Sequence, residues 1–539
     1  MIPPSVTHIE RPAACGIGAR FQRLLRHARN PRSLPTLFWK NIKYAFASQR
    51  PGQSDDPGVW NEIGRALAER GRHEEALACY DRALVIRPDI PQVLSNRGNA
   101  LRNLGRLEQA EASFREALRL KPNFANAHRN LGRLLFDLGR WEEAVASVRT
   151  ALRFQPELPD AHRDLGDIPH HLGRFAEAQE TYRAGLRLRP EDPGLHMSLG
   201  MALLKAGQFE EGWKEFEWRL QSQRMVRELS RFSVPTWNGE AIGGRVILLH
   251  ADEGFGDTLQ FCRYVPQIAV SARTVVAVQR PLVRLLSRLP GPIEVIAAGD
   301  RLPSFDLHCP LMSLPRAVGT TLDTIPATTP YLEADPADVA YWRERLASLA
   351  GLRVGLCWAG GQSSKPDTIA WNRRRSISLD TLAPLGDIYG VRFISLQKEP
   401  PAAESAHPPL GMQLHDFTDD LHDFADTAAL IEGLDLVISV CTSVAHLAGA
   451  LGKPVWLLNC FGASFRWLQD RDDSPWYPSL RQFRQPEPGD WHSVINRVRD
   501  ALQRLAAGDR SQLRPPSSAI SVAASSQCKW RVQSRRDLL

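Results

Sequence analysis

The sequence predicts an α-helical solenoid followed by a pair of doubly wound parallel α/β domains, and three observations carry that prediction. Glycines recur with a period of 34 from Gly64 to Gly207. Beyond Arg224 the helical pattern gives way to short apolar runs separated by helical stretches. The stretch "TTPYLEADPADVAYWRERLASLAGL" interrupts that alternation once and divides the runs into two sets.

A chain of 539 residues is too long for one core, and its parts read in order as follows. Residues 1–56 are a basic, poorly ordered leader: from Arg11 to Arg50 there are nine arginines and lysines and no acid. Contact with an anionic surface is the other reading of that arm; nucleic acid is not the expected partner. Residues 57–226 hold five repeats. Gly64, Gly98, Gly132, Gly166 and Gly200 form one column and Gly71, Gly105, Gly139, Gly173 and Gly207 a second, while Ala76, Ala110, Ala144 and Ala178 mark close helix packing. Pro88, Pro122, Pro156 and Pro190 end the units; the fifth has Arg224 and Gly212 where proline and alanine are due, as befits a terminal repeat that meets something else. These fixed offsets resemble the tetratricopeptide repeat. Pro169 is expected to kink or shorten its helix.

His128, His162 and His196 also keep the period, one to a repeat, which argues for a structural role over a metal site. Asn96 and Asn130, continued by Asp164 and Ser198, form a partial amide column suited to hydrogen-bonding an extended peptide, and they are the candidate partner-binding residues. The segment 57–226 is expected to bind such a partner on its own.

Residues 227–335 and 336–507 are the two α/β domains, and 508–539 a disordered tail rich in serine and arginine. Candidate strands are 245–251, 274–280, 293–298 and 305–311, then 353–359, 391–397, 435–440 and 454–459. Parallel sheets covered on both faces place ligands at the carboxyl ends of their strands. The eight cysteines include no CxxC pair, and no apolar run reaches the length of about 20 residues that a membrane helix needs. A reduced, cytoplasmic protein without a transmembrane segment is expected.

Three strand-end loops carry chemistry. The first contains Gly254, Gly256 and Asp257; Leu259 stands where a dinucleotide fingerprint needs its third glycine, which disfavours an oxidoreductase. Asp257 is either a helix cap or the chemical group itself. The second loop brings Lys365, Arg373, Arg374 and Arg375 before a helix, suited to a diphosphate or simply solvated. In the third, Thr442 and Ser443 open a helix directly after a buried strand, as an anion site or as plain caps. Asp470 and Asp472 form a DxD in an irregular loop and are not expected to hold a metal. Asp416, Asp419, Asp420 and Asp423 read as caps ahead of a helix at 423–434.

Taken together, "HADEGFGDTLQFCRYVP", "WNRRRSISL", "FISLQKE" and "DLVISVCTSVAHLAGALGKPVWLL" resemble the bacterial tetratricopeptide proteins whose carboxyl half is similar to lipopolysaccharide heptosyltransferases, a GT-B family. The likeness extends over roughly 210–505, with "FEEGWKEFEWRL" and "RDDSPWYPSLRQFRQPEPGDW". It implies inverting, metal-independent transfer of a sugar from a nucleotide-sugar donor, with no cofactor, to a protein or glycan acceptor chosen by the repeats. Asp257 then matches the general base. Gly256, Arg375, Thr442, Ser443 and His446 match the donor's phosphate and sugar site, and Gln397 and Lys398 end the strand nearest the base. At Cys441 the family pattern has aspartate, so the alternative is a non-catalytic interaction protein with a degenerate donor site.

Overall fold

The computed structural model describes residues 56–361 and 366–515. The leader, the far tail and Lys365 lie outside the described residues. By internal packing the chain divides into one compact unit up to Leu120 and a second from Lys121.

The first unit carries the helix pairs Pro57–Ala68 with His73–Ile86 and Pro91–Asn103 with Leu107–Leu120. The second begins with three more pairs: Ala125–Asp137 with Trp141–Phe154, Pro159–His171 with Phe175–Leu188, and Pro193–Lys205 with Phe209–Phe216. Proline in the first turn favours several of these starts, and at Pro193 the preceding Asp192 also accepts the Leu195 N–H at 3.0 Å. The two glycine columns have different causes. At Gly64, Gly98 and Gly166 an added Cβ would lie 2.4 to 2.6 Å from the ring of Tyr80, Phe114 or Tyr182, so the partner helix could not approach. Gly71, Gly105, Gly139, Gly173 and Gly207 instead turn the chain between helices at φ of 74 to 77°, a conformation that L side chains resist.

The periodic histidines are structural. His128, His162 and His196 each direct Nε2 at the carbonyl of the proline six residues before, at 2.8, 3.1 and 2.7 Å. Pro169 does not shorten its helix, contrary to the sequence expectation: Pro159–His171 has 13 residues, as does Ala125–Asp137. The proline falls two residues before the helix end, so the bond its missing N–H forfeits is near the terminus and little helix remains beyond it to be broken. The amide column is also partly consumed from within. Asn96 donates to Asn61 Oδ1 at 2.8 Å, and Asp164 is buried and paired with Arg129 at 2.6 Å.

The first sheet is parallel with order β3-β2-β1-β4, where β1 is Val246–His250, β2 Arg273–Val278, β3 Ile293–Ala297 and β4 Leu307–Pro310. The second has order β10-β9-β8-β5-β6-β7, also parallel, with β5 Leu352–Cys357, β6 Val391–Ser395, β7 Leu414–Asp416, β8 Leu436–Val440, β9 Val455–Asn459 and β10 Leu480–Arg484. Both are doubly wound, and the winding reverses between β1 and β4 in one and between β5 and β8 in the other. The two edge strands β7 and β10 escaped the sequence reading. β7 is three residues long, and β10, "LRQFR", alternates where its neighbours are continuously apolar.

The fifth helix pair shares its core with the sheets. Leu204, Phe209, Trp213 and Phe216 join one buried cluster with Phe261, Phe465 and Trp476; the Trp213 ring meets Phe465 at 5.6 Å and Phe261 at 6.3 Å. Burying side chains of this size stabilises by about 1.5 to 3 kcal/mol each. Arg263 fastens the first α/β domain to the linker and the second. Its guanidinium donates to the carbonyls of Trp476 at 2.8 Å and Pro326 at 3.2 Å and to Tyr331 Oη at 2.9 Å, and it lies over the rings of Tyr331 and Tyr477.

Between β1 and β4, His250 Nε2 and His308 Nδ1 share one hydrogen bond of 3.2 Å. Burial pushes His250 down to about 3 and also lowers His308. A histidine whose folded value is depressed stabilises fully above its unfolded value and loses that contribution as pH falls towards the folded one. We expect the thermal midpoint to drop between pH 6.5 and pH 4, at about 1.4 kcal/mol per pH unit for each such histidine. His250→Phe should flatten the slope; an unaltered slope would place the acid sensitivity elsewhere.

Candidate functional site

The loops at both reversal points open onto one cavity of about 1110 Å³. On the first sheet the chain leaves β1 through Ala251 and Asp252 and enters the helix Phe255–Phe261. Asp257 is the third residue of that helix and not its N-cap, which is Gly254. One carboxylate oxygen accepts the Gly254 N–H at 3.0 Å, and the other is paired with Arg466. The side chain remains 25% exposed, so a ligand can reach it. Gly256 packs on His446: a Cβ there would stand 3.0 Å from the imidazole Cδ2. Its role is to bring the helix after β1 against the helix Ser443–Ala450.

On the second sheet the same logic places Arg375, Thr442 and Ser443. Arg375, at the end of the helix Pro366–Arg375, donates to the carbonyl of Cys441 and, at 2.9 Å, to Asn372 Oδ1, so it joins the loop after β5 to the loop after β8. Thr442 is the N-cap of Ser443–Ala450. Its hydroxyl turns inward to Ser439 Oγ at 3.0 Å and Cys357 Sγ at 3.5 Å and does not cap the helix. The start of that helix lines the cavity through Ser443 and Val444, and the Ser443 hydroxyl has no partner among the described residues. His446 is buried, with Nδ1 2.9 Å from Tyr477 Oη and its ring stacked on Trp467. Burial first, and then the charges of Arg466, Arg263 and Arg375, hold the imidazole well below its ordinary value and therefore neutral.

Gln397 and Lys398 line the cavity but are largely spent on the fold. Gln397 Oε1 accepts the N–H groups of Trp358 and Ala359 at 3.0 and 2.8 Å, and Lys398 donates to the carbonyls of Thr418 and Leu421. They shape this side of the cavity through the backbone they hold. Cys441 is buried, and its sulfur accepts the Trp467 indole N–H at 3.1 Å. Asp423 caps the helix Phe424–Glu432 as expected, whereas Asp416 lies in β7 and Asp419 and Asp420 in a 3₁₀ turn. Among the described residues no cluster of histidine, cysteine and acid could hold a metal ion, and no helix is long and apolar enough to cross a membrane.

Several residues of the site were not marked by motif. Arg466 reaches from the loop after β9 to Asp257 and, at 2.5 Å, to Gln260 Oε1. Arg219, in the turn that ends the repeats, donates to Asp252 at 3.2 Å and to Ser313 Oγ at 2.8 Å, filling the first reversal point. The repeats themselves supply a wall containing Asp167, His170, His171 and Lys205.

A tetratricopeptide-repeat family model matches residues 95–168 and 171–216, and a second TPR-repeat model matches 64–105. The chain carries tetratricopeptide repeats. Protein FlbA of Caulobacter vibrioides is 29% identical over 324 residues, which are 55% of this chain and 53% of that protein. The chain thus spans about half the length of the curated relative it matches. Among solved structures, MamA is 21% identical with a TM-score of 0.27, over 33% of this chain and 96% of that one. A thermophilic TPR protein of Thermus thermophilus, TTC0263, is 20% identical with a TM-score of 0.30, over 32% and 95%. This repeat protein therefore continues into an α/β region of two parallel sheets.

Proposed function

We propose that this repeat protein is a glycosyltransferase of GT-B type that moves a sugar from a nucleotide-sugar donor to a protein or glycan acceptor engaged by the repeats. The observation that carries this reading is the meeting, in one cavity, of Asp257 from the first sheet with Arg375 and the Ser443 helix start from the second. Guanidinium and free amides suit the departing diphosphate. A carboxylate opposite them suits the incoming hydroxyl: as the acceptor oxygen bonds to the anomeric carbon and the sugar–phosphate bond breaks, its proton passes to Asp257. A single displacement of this kind inverts the anomeric centre and draws on no metal. The likeness of "HADEGFGDTLQFCRYVP" and its companion stretches to heptosyltransferases supports the same assignment.

The second reading, a donor-binding protein without turnover, draws on Cys441 and on the engagement of Asp257 by Arg466. A thermal-shift screen of nucleotide sugars, followed by donor hydrolysis, separates the two. Hydrolysis of a stabilising donor supports the enzyme, stabilisation alone supports the second reading, and neither response to any donor removes both. Cys441→Asp is expected to strengthen binding of the full nucleotide sugar over its nucleoside diphosphate by about 1 to 3 kcal/mol, the scale of a charge-assisted hydrogen bond. Equal sugar increments in calorimetry of both versions would mean that position 441 does not touch the sugar.

A further inference from the structure

One position in each repeat ends the first helix of its pair or directly follows it: Glu69, Asn103, Asp137, His171 and Lys205, spaced by 34. The first three are acid or amide; the last two, which line the cavity, are imidazole and ammonium. Lys205 is only 9% exposed. Its ammonium donates to the carbonyl of Gly462 at 3.1 Å and stands 6.0 Å from the centre of the Phe175 ring, which accounts for one of its three donors. Among the described residues no carboxylate pairs with it.

Arg374 lines the same cavity from the helix after β5 and also has no carboxylate partner among the described residues. Its guanidinium lies 5.8 Å from the centre of the Trp371 ring. The two charges sense each other: burial first, with Arg374 and Arg484 adding to it, pushes Lys205 down to about 7. His171, pushed to about 4 by burial and then by Arg374 and Lys205, is neutral, so it dilutes neither cation. A buried ammonium held merely as a rivet would be matched by a carboxylate or by carbonyls on each donor.

We propose that repeats four and five furnish an anion subsite in the cleft, with Lys205 and Arg374 as its cations, for a phosphate or carboxylate group of the ligand. The repeats are then part of the binding site and do more than carry a partner to it. The choice of a sugar ligand rests on the glycosyltransferase reading, but anion binding is measured without turnover.

Sulfate is the probe, because its charge is constant over the pH range used. In calorimetry of the full chain, Lys205→Met is expected to lower sulfate affinity about tenfold and Arg374→Gln about threefold, with Lys205→Arg retaining most of it. Wild-type affinity should fall as pH rises from 6.5 to 8 and Lys205 loses its proton. Of the other groups facing Lys205, Asp167, raised to about 6 by burial, is already ionised over most of that range. His170 and His171 stay neutral, Cys460, raised to about 11 by burial, keeps its proton, and Arg484, though lowered by burial, stays charged. A flat profile together with unchanged affinity in Arg374→Gln overturns the subsite even if Lys205→Met fails to fold.

Pyrophosphate and glucuronate identify the source of the charge. A Lys205-dependent loss against pyrophosphate marks a donor phosphate, and a loss against glucuronate alone marks an acceptor carboxylate. Equal affinity of wild type and Lys205→Met for all three anions overturns the proposal. Binding of UDP or ADP that depends on Arg375, with no Lys205-dependent loss for sulfate, pyrophosphate or glucuronate, would sink the subsite and leave the glycosyltransferase reading standing; Lys205-dependent sulfate binding without any nucleotide binding would do the reverse.

Discussion

Asp257→Asn is expected to lower sugar transfer about a hundredfold to ten-thousandfold while donor affinity changes little. The carboxylate now accepts from two groups at once, the Gly254 N–H and Arg466. An amide has a single oxygen, so one of those donors will face the new NH₂ group, and a modest loss of stability accompanies the substitution. The two effects separate in the assay: a capping role alone lowers the melting temperature and leaves turnover of the folded protein intact, whereas loss of a base removes transfer from protein that still binds donor. Wild-type turnover in the folded variant would return Asp257 to a purely structural role.

The largest stability effect is expected at Arg263. Arg263→Leu keeps some of the packing against Tyr331 and Tyr477 but strips the donors from the carbonyls of Trp476 and Pro326 and from Tyr331 Oη. Leaving that many buried acceptors dry should cost about 3 to 5 kcal/mol, read as a lower midpoint in urea unfolding. Since those acceptors belong to the linker and the second α/β domain, loss of cooperativity between the two sheets is part of the expected result. A change below about 1 kcal/mol would mean that water replaces the guanidinium freely.

The repeats and the central strands were legible in the sequence because each obeys one dominant rule: glycine at positions fixed by close approach or positive φ, and continuous apolar runs where both sheet faces are covered. β7 and β10 obey neither rule strongly. Within the site, the loops holding Asp257, Arg375 and Ser443 announced themselves as turns following buried strands. Arg466 could not be found this way, since an arginine in an irregular loop has no periodic signature and its meaning depends on reaching a carboxylate more than two hundred positions away. Gln397 shows a related limit: the sequence places a polar group at a strand end but does not show that the backbone after β5 claims its oxygen. The signal for Lys205 was present as a change of charge in a periodic column, visible only when repeats are compared with one another.

The shared core of the fifth helix pair changes what the repeats can be taken for. A helical array normally closes with a polar capping helix. Here Phe209, Trp213 and Phe216 are covered by Phe261, Phe465 and Trp476, so the α/β region serves as the stopper. Cutting the chain at residue 226 would expose that aromatic face to water, and the fragment 57–226, which the sequence alone recommends as an autonomous binder, should self-associate instead of remaining monomeric. Transplanting the array onto another scaffold would need a substitute lid for those three rings. In its own setting the fifth pair is at once the end of the array and, through Met201 and Lys205, part of the cavity wall.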